Sequence, residues 1–294
     1  MAAATGLAGN RLATLLAALT SLGLLTKSAD GYANAPATQR YLVPGETAYF
    51  GDYYRHQIDR QIYPSLVSLE AGLKGDAANL AHDTFRGMLE DPVEAEAFSR
   101  AQHAGSLGPA LALARAVDLG GCRRLLDVAG GSGAFAITLC QANPGLAACI
   151  LDFANVIEIA KRTTADAGMA DRIALIAGDA LETDWPAEQD VVLLSYLLSA
   201  VAGTDIPRLF ERAWRALAPG GRLIVHDFML DDDRAGPTSA ALWFLQYLSV
   251  RTDSTSFSAA ELHQALAAQG FTDIATAVLI PEITKYISAR KPDS

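Results

Sequence analysis

The stretch that decides the fold runs from Arg124 to Gly133 and reads RLLDVAGGSG. Its first half is a short apolar run, which predicts a buried strand over Arg124 to Val128. The glycines in its second half allow a sharp turn and let a ligand approach the backbone without meeting a Cβ atom. A helical pattern then follows from Ala134 to Gln141. A strand, a glycine-rich turn and a helix in this order predict a cradle for a nucleotide-like cofactor.

Short apolar runs and helical patterns alternate from this point to the end of the chain. Further strands are expected at Ala147–Leu151, Ile173–Ile176, Val191–Ser195, Leu223–His226, Thr276–Ile280 and Lys285–Ala289. Helical stretches such as Val156 to Ala167 and Ile206 to Leu217 separate most of these runs. Such alternation predicts an α/β fold with a Rossmann-like, doubly wound and mostly parallel sheet. Only a short stretch around Pro281 separates the last two runs, so the sheet is expected to finish on an antiparallel C-terminal hairpin.

The chain before this sheet divides into two further segments. Over residues 1–45, leucines at helical spacing are followed by a β-hairpin pattern, which predicts a partial winged helix or dimerisation-type segment. Residues 46–118 are expected to form a helical connector, and residues 119–294 the cofactor-binding domain. Connector helices are expected over 50–69, 76–89 and 92–117, the last interrupted near Gly105 and Gly108.

Composition and charge exclude several classes of partner. The 294 residues carry a net charge of −10 and no basic patch, so nucleic acid is not expected to bind. The three cysteines lack a CxxC spacing, which indicates a reducing compartment and no metal site. The apolar run from Leu12 to Leu25 is shorter than the roughly 20 residues of a membrane span. No membrane contact is therefore expected, and the predicted location is cytoplasmic.

Three acids lie at the ends of three successive predicted strands: Asp127, Asp152 and Asp179. Asp152 lies about 20 residues after the glycines, where a dinucleotide fold places a ribose-binding acid, so the glycines alone are also compatible with NAD. Asp127 favours another cofactor, because a carboxylate at the mouth of the turn suits an ammonium group and would repel a pyrophosphate. Asp179 is placed to accept a hydrogen bond from an adenine amino group. Together the acids predict the sulfonium cofactor S-adenosylmethionine.

With these motifs the chain resembles the class I methyltransferases, in particular the small-molecule O-methyltransferase family that includes the caffeate and acetylserotonin enzymes. The resemblance covers nearly the whole chain and implies a cytosolic methyltransferase with a small-molecule acceptor. The expected cofactor-binding residues, those named above included, are Ser106, Asp127, Gly130, Gly131, Gly133, Asp152, Phe153, Gly178, Asp179, Ala180 and Ser195. The resemblance also allows a homodimer, although the family's N-terminal dimerising helices are mostly missing from this chain.

The chain departs from the family where the catalytic base is expected. A histidine normally follows the fourth strand, but Ser199 occupies that position, and Ser256 stands where a supporting glutamate is expected. An alcohol or ordinary phenol must lose a proton as it attacks a methyl group, usually to a positioned histidine. A thioether, an electron-rich carbon or an ionised enol need not. Here the chain resembles the methylthiohydroxybutyrate S-methyltransferases and the bacteriochlorophyllide C-methyltransferases, which implies an acceptor that needs no strong base.

Several alternatives stay open at this level. An O-methyltransferase of a phenolic or polyketide product could use His103 or His226 as a non-standard base. An NAD-dependent oxidoreductase would use the same turn, and a non-methylating relative would only bind the sulfonium cofactor. Residues expected to line the acceptor site are Gln102, Ser199, Trp243, Phe244, Tyr247 and Arg251. The aromatic side chains could instead pack the core, and Arg251 could bind a substrate carboxylate or offset the dipole of its helix, expected over Thr238 to Val250.

Overall fold

The computed structural model describes residues 2–76 and 89–293, so most of the helix predicted over 76–89 lies outside the described residues. The strands are β1 (Leu25–Ser28), β2 (Gly31–Asn34), β3 (Arg124–Val128), β4 (Ala147–Asp152), β5 (Ile173–Ala177), β6 (Gln189–Ser195), β7 (Leu217–Asp227), β8 (Thr272–Ile280) and β9 (Thr284–Arg290). Helices lie at Ala2–Thr5, Gly9–Ser21, Pro36–Leu42, Pro92–Ala116, Ala134–Ala142, Ala154–Asp166, Ile206–Ala216, Thr238–Tyr247 and Ala259–Gln269, with a π-helix at Tyr53–Ile62. Shorter helical turns occur at Tyr63–Ser65, Leu66–Ser68, Leu69–Leu73, Leu198–Ala200 and Gly203–Asp205.

The main sheet has the order β5-β4-β3-β6-β7-β9-β8. Strands β3 to β7 pair in parallel, and β9 runs antiparallel to both of its neighbours, β7 and β8. This confirms the predicted α/β fold with its antiparallel C-terminal hairpin. The chain winds outward from β3 in one direction and then returns to β6 on the other side of β3. The carboxyl ends of these parallel strands therefore meet at one edge, where folds of this kind bind their ligands.

Strand β3 explains why the centre of the sheet is so apolar. Leu126 and Val128 pack into a cluster on one face with Phe210 and Leu266, whereas Leu125 packs on the other face with residues such as Leu113. Alternate side chains are thus buried on opposite faces, both of which are covered by helices. Near its carboxyl end the strand contains one buried charged residue, Asp127, which interrupts the apolar run.

Two predicted features of the helices were wrong. The helix Pro92–Ala116 continues through the glycines where an interruption was expected. Gly105 allows close packing there, because a Cβ at this position would lie 3.0 Å from the ring of Tyr53. The helix predicted to reach Val250 ends at Tyr247 and passes into a turn.

The N-terminal segment contains the predicted helix and hairpin. Gly9–Ser21 precedes β1 and β2, which pair antiparallel from Leu25 opposite Asn34 to Ser28 opposite Gly31. Its assignment as a partial winged helix, a homodimer formed through it and the domain boundaries stay predictions. Within residues 2–76 and 89–293, no helix has both the length and the apolar character needed to cross a bilayer.

Candidate active site

The glycine-rich turn after β3 has little room for side chains. A Cβ on Gly130 would lie 2.7 Å from the carboxyl carbon of Asp127, and one on Gly133 would lie 2.8 Å from the Cδ1 of Ile150. Gly131 and Gly133 also have positive φ angles of 59° and 86°. Side chains rarely adopt such angles, so glycine suits both the space and the backbone. The turn leads directly into the helix Ala134–Ala142, as predicted.

Asp152 connects this turn to the end of β4. Its Oδ2 accepts a hydrogen bond from the Gly131 N–H at 2.8 Å, and its Oδ1 accepts one from the Phe153 N–H at 2.7 Å. Burial raises the pKa of this carboxyl to about 6, although the two N–H donors act in the opposite direction. Each carboxylate oxygen retains a second lone pair, so ligand hydroxyls can still bind here.

Asp127 lies beneath the same turn and is only 1% exposed. Its Oδ2 has no hydrogen-bond partner among the described residues. Burial raises the pKa of Asp127 to about 7, the nearby Asp152 raises it further, and the Ala136 N–H lowers it. A buried acceptor without a partner is rare in folded proteins and is satisfied by a cationic ligand group or by protonation. This buried acceptor therefore fits the ammonium group of a methionine moiety, which would donate to it.

A cavity of about 350 Å³ opens beside Asp152 at the ends of β4 and β5. Its lining residues are Leu89, Glu90, Phe153, Ala154, Asn155, Ala177, Gly178, Asp179, Glu182 and Thr183. The Asn155 amide donates to the carbonyls of Leu89 and Glu90, both at 2.9 Å, and so fixes the wall opposite the sheet. Asp179 accepts a hydrogen bond from the Leu181 N–H at 2.8 Å, which holds its turn. Apolar walls with carboxylates at the rim suit a flat ring with polar edges, such as adenine.

Comparison with known proteins decides between the cofactors that this geometry allows. Residues 77–272 match the family model of the O-methyltransferase domain, which is more than half of the chain. The chain belongs to the O-methyltransferase family. It is therefore an S-adenosylmethionine-dependent methyltransferase of the small-molecule branch, and S-adenosylmethionine, not NAD, is its cofactor.

Relatives of this methyltransferase are similar over most of their length. It is 34% identical over 263 residues to 3-hydroxy-5-methyl-1-naphthoate 3-O-methyltransferase of Streptomyces sahachiroi, covering 89% of this chain and 76% of that protein. It is 29% identical over 276 residues to L-tyrosine C(3)-methyltransferase of Streptomyces lavendulae, covering 90% and 75% respectively. Human N-acetylserotonin methyltransferase in complex with S-adenosylmethionine shares the fold, with a TM-score of 0.85, 23% identity and coverage of 99% and 86%.

Ser199, which the sequence predicts to stand at the family's base position, is buried and held by its backbone. The residue is 3% exposed, and its N–H donates to Oδ2 of Asp227 at 3.0 Å. Its hydroxyl lies close enough to Asp227 to lower that carboxyl's pKa, but Oγ makes no hydrogen bond of full geometry among the described residues. Burial has the larger effect and raises the pKa of Asp227 to about 6. A serine hydroxyl without a histidine beside it cannot act as an effective base in methyl transfer.

The two candidate histidines both contact serines of the cofactor side. His103 Nδ1 lies 2.8 Å from the Oγ of Ser132 in the glycine-rich turn, and burial lowers the pKa of this histidine. His226 Nδ1 lies 2.9 Å from the Oγ of Ser195 at the end of β6. Burial lowers the pKa of His226 to about 3. Both imidazoles are therefore neutral at physiological pH, and each has one nitrogen engaged by a serine.

The aromatic residues predicted on the acceptor side divide between wall and core. Trp243 stacks on Phe228 with ring centroids 4.3 Å apart and contacts Tyr247 at 5.4 Å. Phe228 in turn contacts Tyr196 at 5.4 Å. Phe244 is buried against Phe257 within the core, as the packing alternative expected. These contacts make one continuous aromatic wall next to Asp227, and its members Phe228 and Tyr196 were not predicted.

The remaining predicted residues of the acceptor side lie on two other elements. Gln102 donates to Gln57 of the π-helix. Ser106, which is predicted to bind the cofactor, is half-buried one turn further along the same helix, Pro92–Ala116. Arg251 pairs with Asp253 at 2.9 Å and donates to the Ala200 carbonyl at 3.0 Å. It therefore holds the loop after Ser199. These two contacts occupy its guanidinium with groups of the protein itself and do not require a substrate carboxylate.

Proposed function

We propose that this methyltransferase methylates a planar aromatic or conjugated acceptor at an atom that needs no strong general base, either an acidic enol or phenol oxygen or an electron-rich carbon. The observation that carries the proposal is the buried Ser199 at the base position, fixed through its backbone to Asp227. Without a base at this point, in-line orientation against the sulfonium must supply most of the rate.

The cofactor side of the proposal assigns a part to each predicted residue. Bound S-adenosylmethionine supplies a methyl group on a positively charged sulfur. Asp127 binds its ammonium group, Asp152 its ribose hydroxyls, and Phe153 and Asp179 its adenine. The turn Gly130, Gly131 and Gly133 encloses it, and Ser106, Gly178, Ala180 and Ser195 complete the contacts.

The acceptor side is supported by the aromatic wall and by one donor without a partner. Trp243 Nε1 is buried and has no hydrogen-bond partner among the described residues. An oxygen on a flat acceptor stacked near the wall would satisfy this N–H. Burial raises the pKa of Tyr196, so this phenol stays protonated and can donate a hydrogen bond to an anionic oxygen. Such donors stabilise an acceptor that arrives already ionised.

Two of the relatives support the same class of acceptor. One acts on a hydroxynaphthoate oxygen and another on C(3) of tyrosine, so both act on aromatic acceptors. A small thioether acid such as methylthiohydroxybutyrate is the second candidate. It has no ring to stack on the aromatic wall, and Arg251, the cation considered for its carboxylate, is paired with Asp253.

Replacing Ser199 by alanine is expected to change kcat by less than about threefold, because its hydroxyl takes no proton in this scheme. The measurement is methyl transfer by the full chain to a panel containing a hydroxynaphthoate, a hydroxyquinone, an electron-rich phenol, a simple benzylic alcohol and methylthiohydroxybutyrate. The methylated atom is then located by NMR. The naphthoate, quinone or phenol arms are expected to react, with the alcohol inert. A loss above about a hundredfold in Ser199→Ala, or fastest turnover of the alcohol or the thioether acid, would refute the proposal.

The affinity for S-adenosylhomocysteine is expected to rise with pH up to about 7 and then level off. Its ammonium group binds the ionised form of Asp127, whose pKa is raised to about 7 by burial. Below that pH the dissociation constant should change by up to about tenfold per unit. Asp152, with a pKa of about 6, acts in the same direction at lower pH. Calorimetric titration of wild type and Asp127→Asn tests this, and a variant with an unchanged pH profile would contradict the role of Asp127.

The same raised pKa of Asp127 predicts that the stability of the cofactor-free protein falls as the pH rises, whereas the cofactor affinity increases. A carboxyl whose pKa is higher in the folded than in the unfolded chain stabilises the fold fully below its ordinary value of about 4, and this contribution is lost as pH rises through 7. The Tm of the cofactor-free protein should therefore fall over this interval more in wild type than in Asp127→Asn. Thermal unfolding at several pH values checks the sign.

A further inference from the structure

One buried titratable group beside the site has no part in the methyl transfer described above. His226 is 0% exposed and lies on β7 directly opposite Ser195 on β6. Its Nδ1 is 2.9 Å from the Ser195 Oγ. Its ring lies against those of Tyr196 and Phe135, with centroids 4.5 Å and 5.5 Å away. Among the described residues, the hydrogen-bond partner of this imidazole is thus the hydroxyl of Ser195.

The surroundings of the ring decide where its single proton lies. The imidazole is neutral, because burial lowers the pKa of His226 to about 3. Nε2 is buried and has no hydrogen-bond partner among residues 2–76 and 89–293. A buried N–H without a partner is rarer in folded proteins than an acceptor without one. The proton therefore belongs on Nδ1, where it can be donated to the Ser195 oxygen.

This tautomer sets the direction of the serine hydroxyl. An oxygen that accepts from Nδ1–H keeps its own hydrogen for another acceptor. Ser195 is half-buried at the carboxyl edge, and β6 pairs with β3 on the side away from β4. Because Asp152 on β4 is proposed to bind the ribose and Asp127 on β3 the ammonium group, the methionine moiety would lie on the side of β3 that faces β6. The group of that moiety that can accept a hydrogen bond from Ser195 is its carboxylate.

We infer that His226 is a positioning residue: its Nδ1–H donates to Ser195 and thereby directs the serine hydroxyl to the carboxylate of the cofactor's methionine moiety. The inference rests on the proposed cofactor contact of Ser195 and adds the residue that orients it. In this role His226 does not act as a base, because its Nε2 is buried and its ring packs against two aromatic rings.

The tautomer is tested directly by long-range ¹H–¹⁵N NMR of histidine-labelled full-length protein, with His226→Asn used to assign the signal. The expected result is an Nδ1–H imidazole whose shifts do not change between about pH 5 and pH 8, since the group does not titrate there. A signal typical of the Nε2–H tautomer, or titration within this range, would overturn the inference. The tautomer follows from the packing of the ring, so the binding measurements are needed to separate a positioning role from a purely structural one.

Binding measurements test the consequence for the cofactor. His226→Leu and Ser195→Ala are each expected to raise the dissociation constant of S-adenosylhomocysteine about tenfold, and the double variant no more than either, because both remove one interaction. His226→Asn keeps a donor at the δ position and should stay within about threefold of wild type. The control ligand is 5′-methylthioadenosine, which lacks the carboxylate and should bind all four variants with wild-type affinity.

The outcomes distinguish a failure of the role of His226 from a failure of the proposed cofactor site as a whole. Additive effects in the double variant, or equal losses for 5′-methylthioadenosine, would overturn the role of His226. If Ser195→Ala binds normally while Asp152→Asn does not, the contact of Ser195 is wrong and the remaining cofactor site stands. Should His226→Leu fail to fold, the comparison of His226→Asn with Ser195→Ala and the NMR signature still decide.

Discussion

Asp152→Asn is expected to weaken the binding of S-adenosylhomocysteine by about a hundredfold or more. The carboxylate accepts hydrogen bonds from Gly131 and Phe153 through different oxygens, and an asparagine can keep only one of these acceptors. Hydrogen bonds to charged groups contribute about 1.5–3 kcal/mol each, and the proposed ribose contacts are lost as well. A hundredfold change corresponds to about 2.7 kcal/mol of binding free energy. Calorimetric titration of the full chain measures it.

The matched control for this variant is Asp190→Asn. Asp190 also accepts two backbone N–H bonds, from Arg123 and Arg124 at 2.7 Å and 2.9 Å, but these lie at the opposite end of β3. This variant should bind S-adenosylhomocysteine within about threefold of wild type, even if its Tm falls by a similar amount. Equal losses of affinity in both variants would mean that Asp152 acts through general stability and not through the cofactor.

Gly130→Ala is expected to abolish cofactor binding and to destabilise the fold. The added Cβ would lie 2.7 Å from the Asp127 carboxyl carbon, 2.9 Å from its Oδ2 and 3.1 Å from its backbone oxygen. The backbone oxygen belongs to the central strand and cannot retreat, so the turn itself must shift. Overpacking of this kind costs about 1–3 kcal/mol of unfolding free energy. The dissociation constant of S-adenosylhomocysteine should rise by at least about a hundredfold.

Gly145→Ala provides the comparison, because nothing lies within 4 Å of a Cβ at this turn and its φ is not positive. Its Tm and cofactor affinity are expected to match those of wild type. Thermal unfolding and titration of both variants separate crowding at Asp127 from a general intolerance of glycine replacement. Wild-type affinity in Gly130→Ala would show that the turn can relax and that its close approach to Asp127 is not required.

The position of the acceptor side could be predicted from sequence only in part. Trp243 and Tyr247 were expected together because they are four residues apart on a helix, and they do contact each other. Phe228 and Tyr196 had no such signal, since each follows a different strand. The interruption predicted at Gly105 was wrong because the sequence does not show which residue packs against this glycine. A glycine within a helix reads as a break until the ring of Tyr53, about fifty residues earlier in the chain, is seen to pack against it.

By itself, the sequence determined the α/β class with its mostly parallel sheet, the glycine-rich turn and the acids at or just after the carboxyl ends of β3, β4 and β5. It also predicts that Ser199 replaces the family's histidine. These follow from local periodicity and from the rule that parallel strands bring their carboxyl ends to one edge. Only the tertiary structure decided that Asp152 reaches back to Gly131, that Asp227 holds Ser199 and that His226 meets Ser195. Each of these contacts joins residues about twenty to thirty positions apart, and each depends on how neighbouring strands align and on burial, which leaves each group with few other partners.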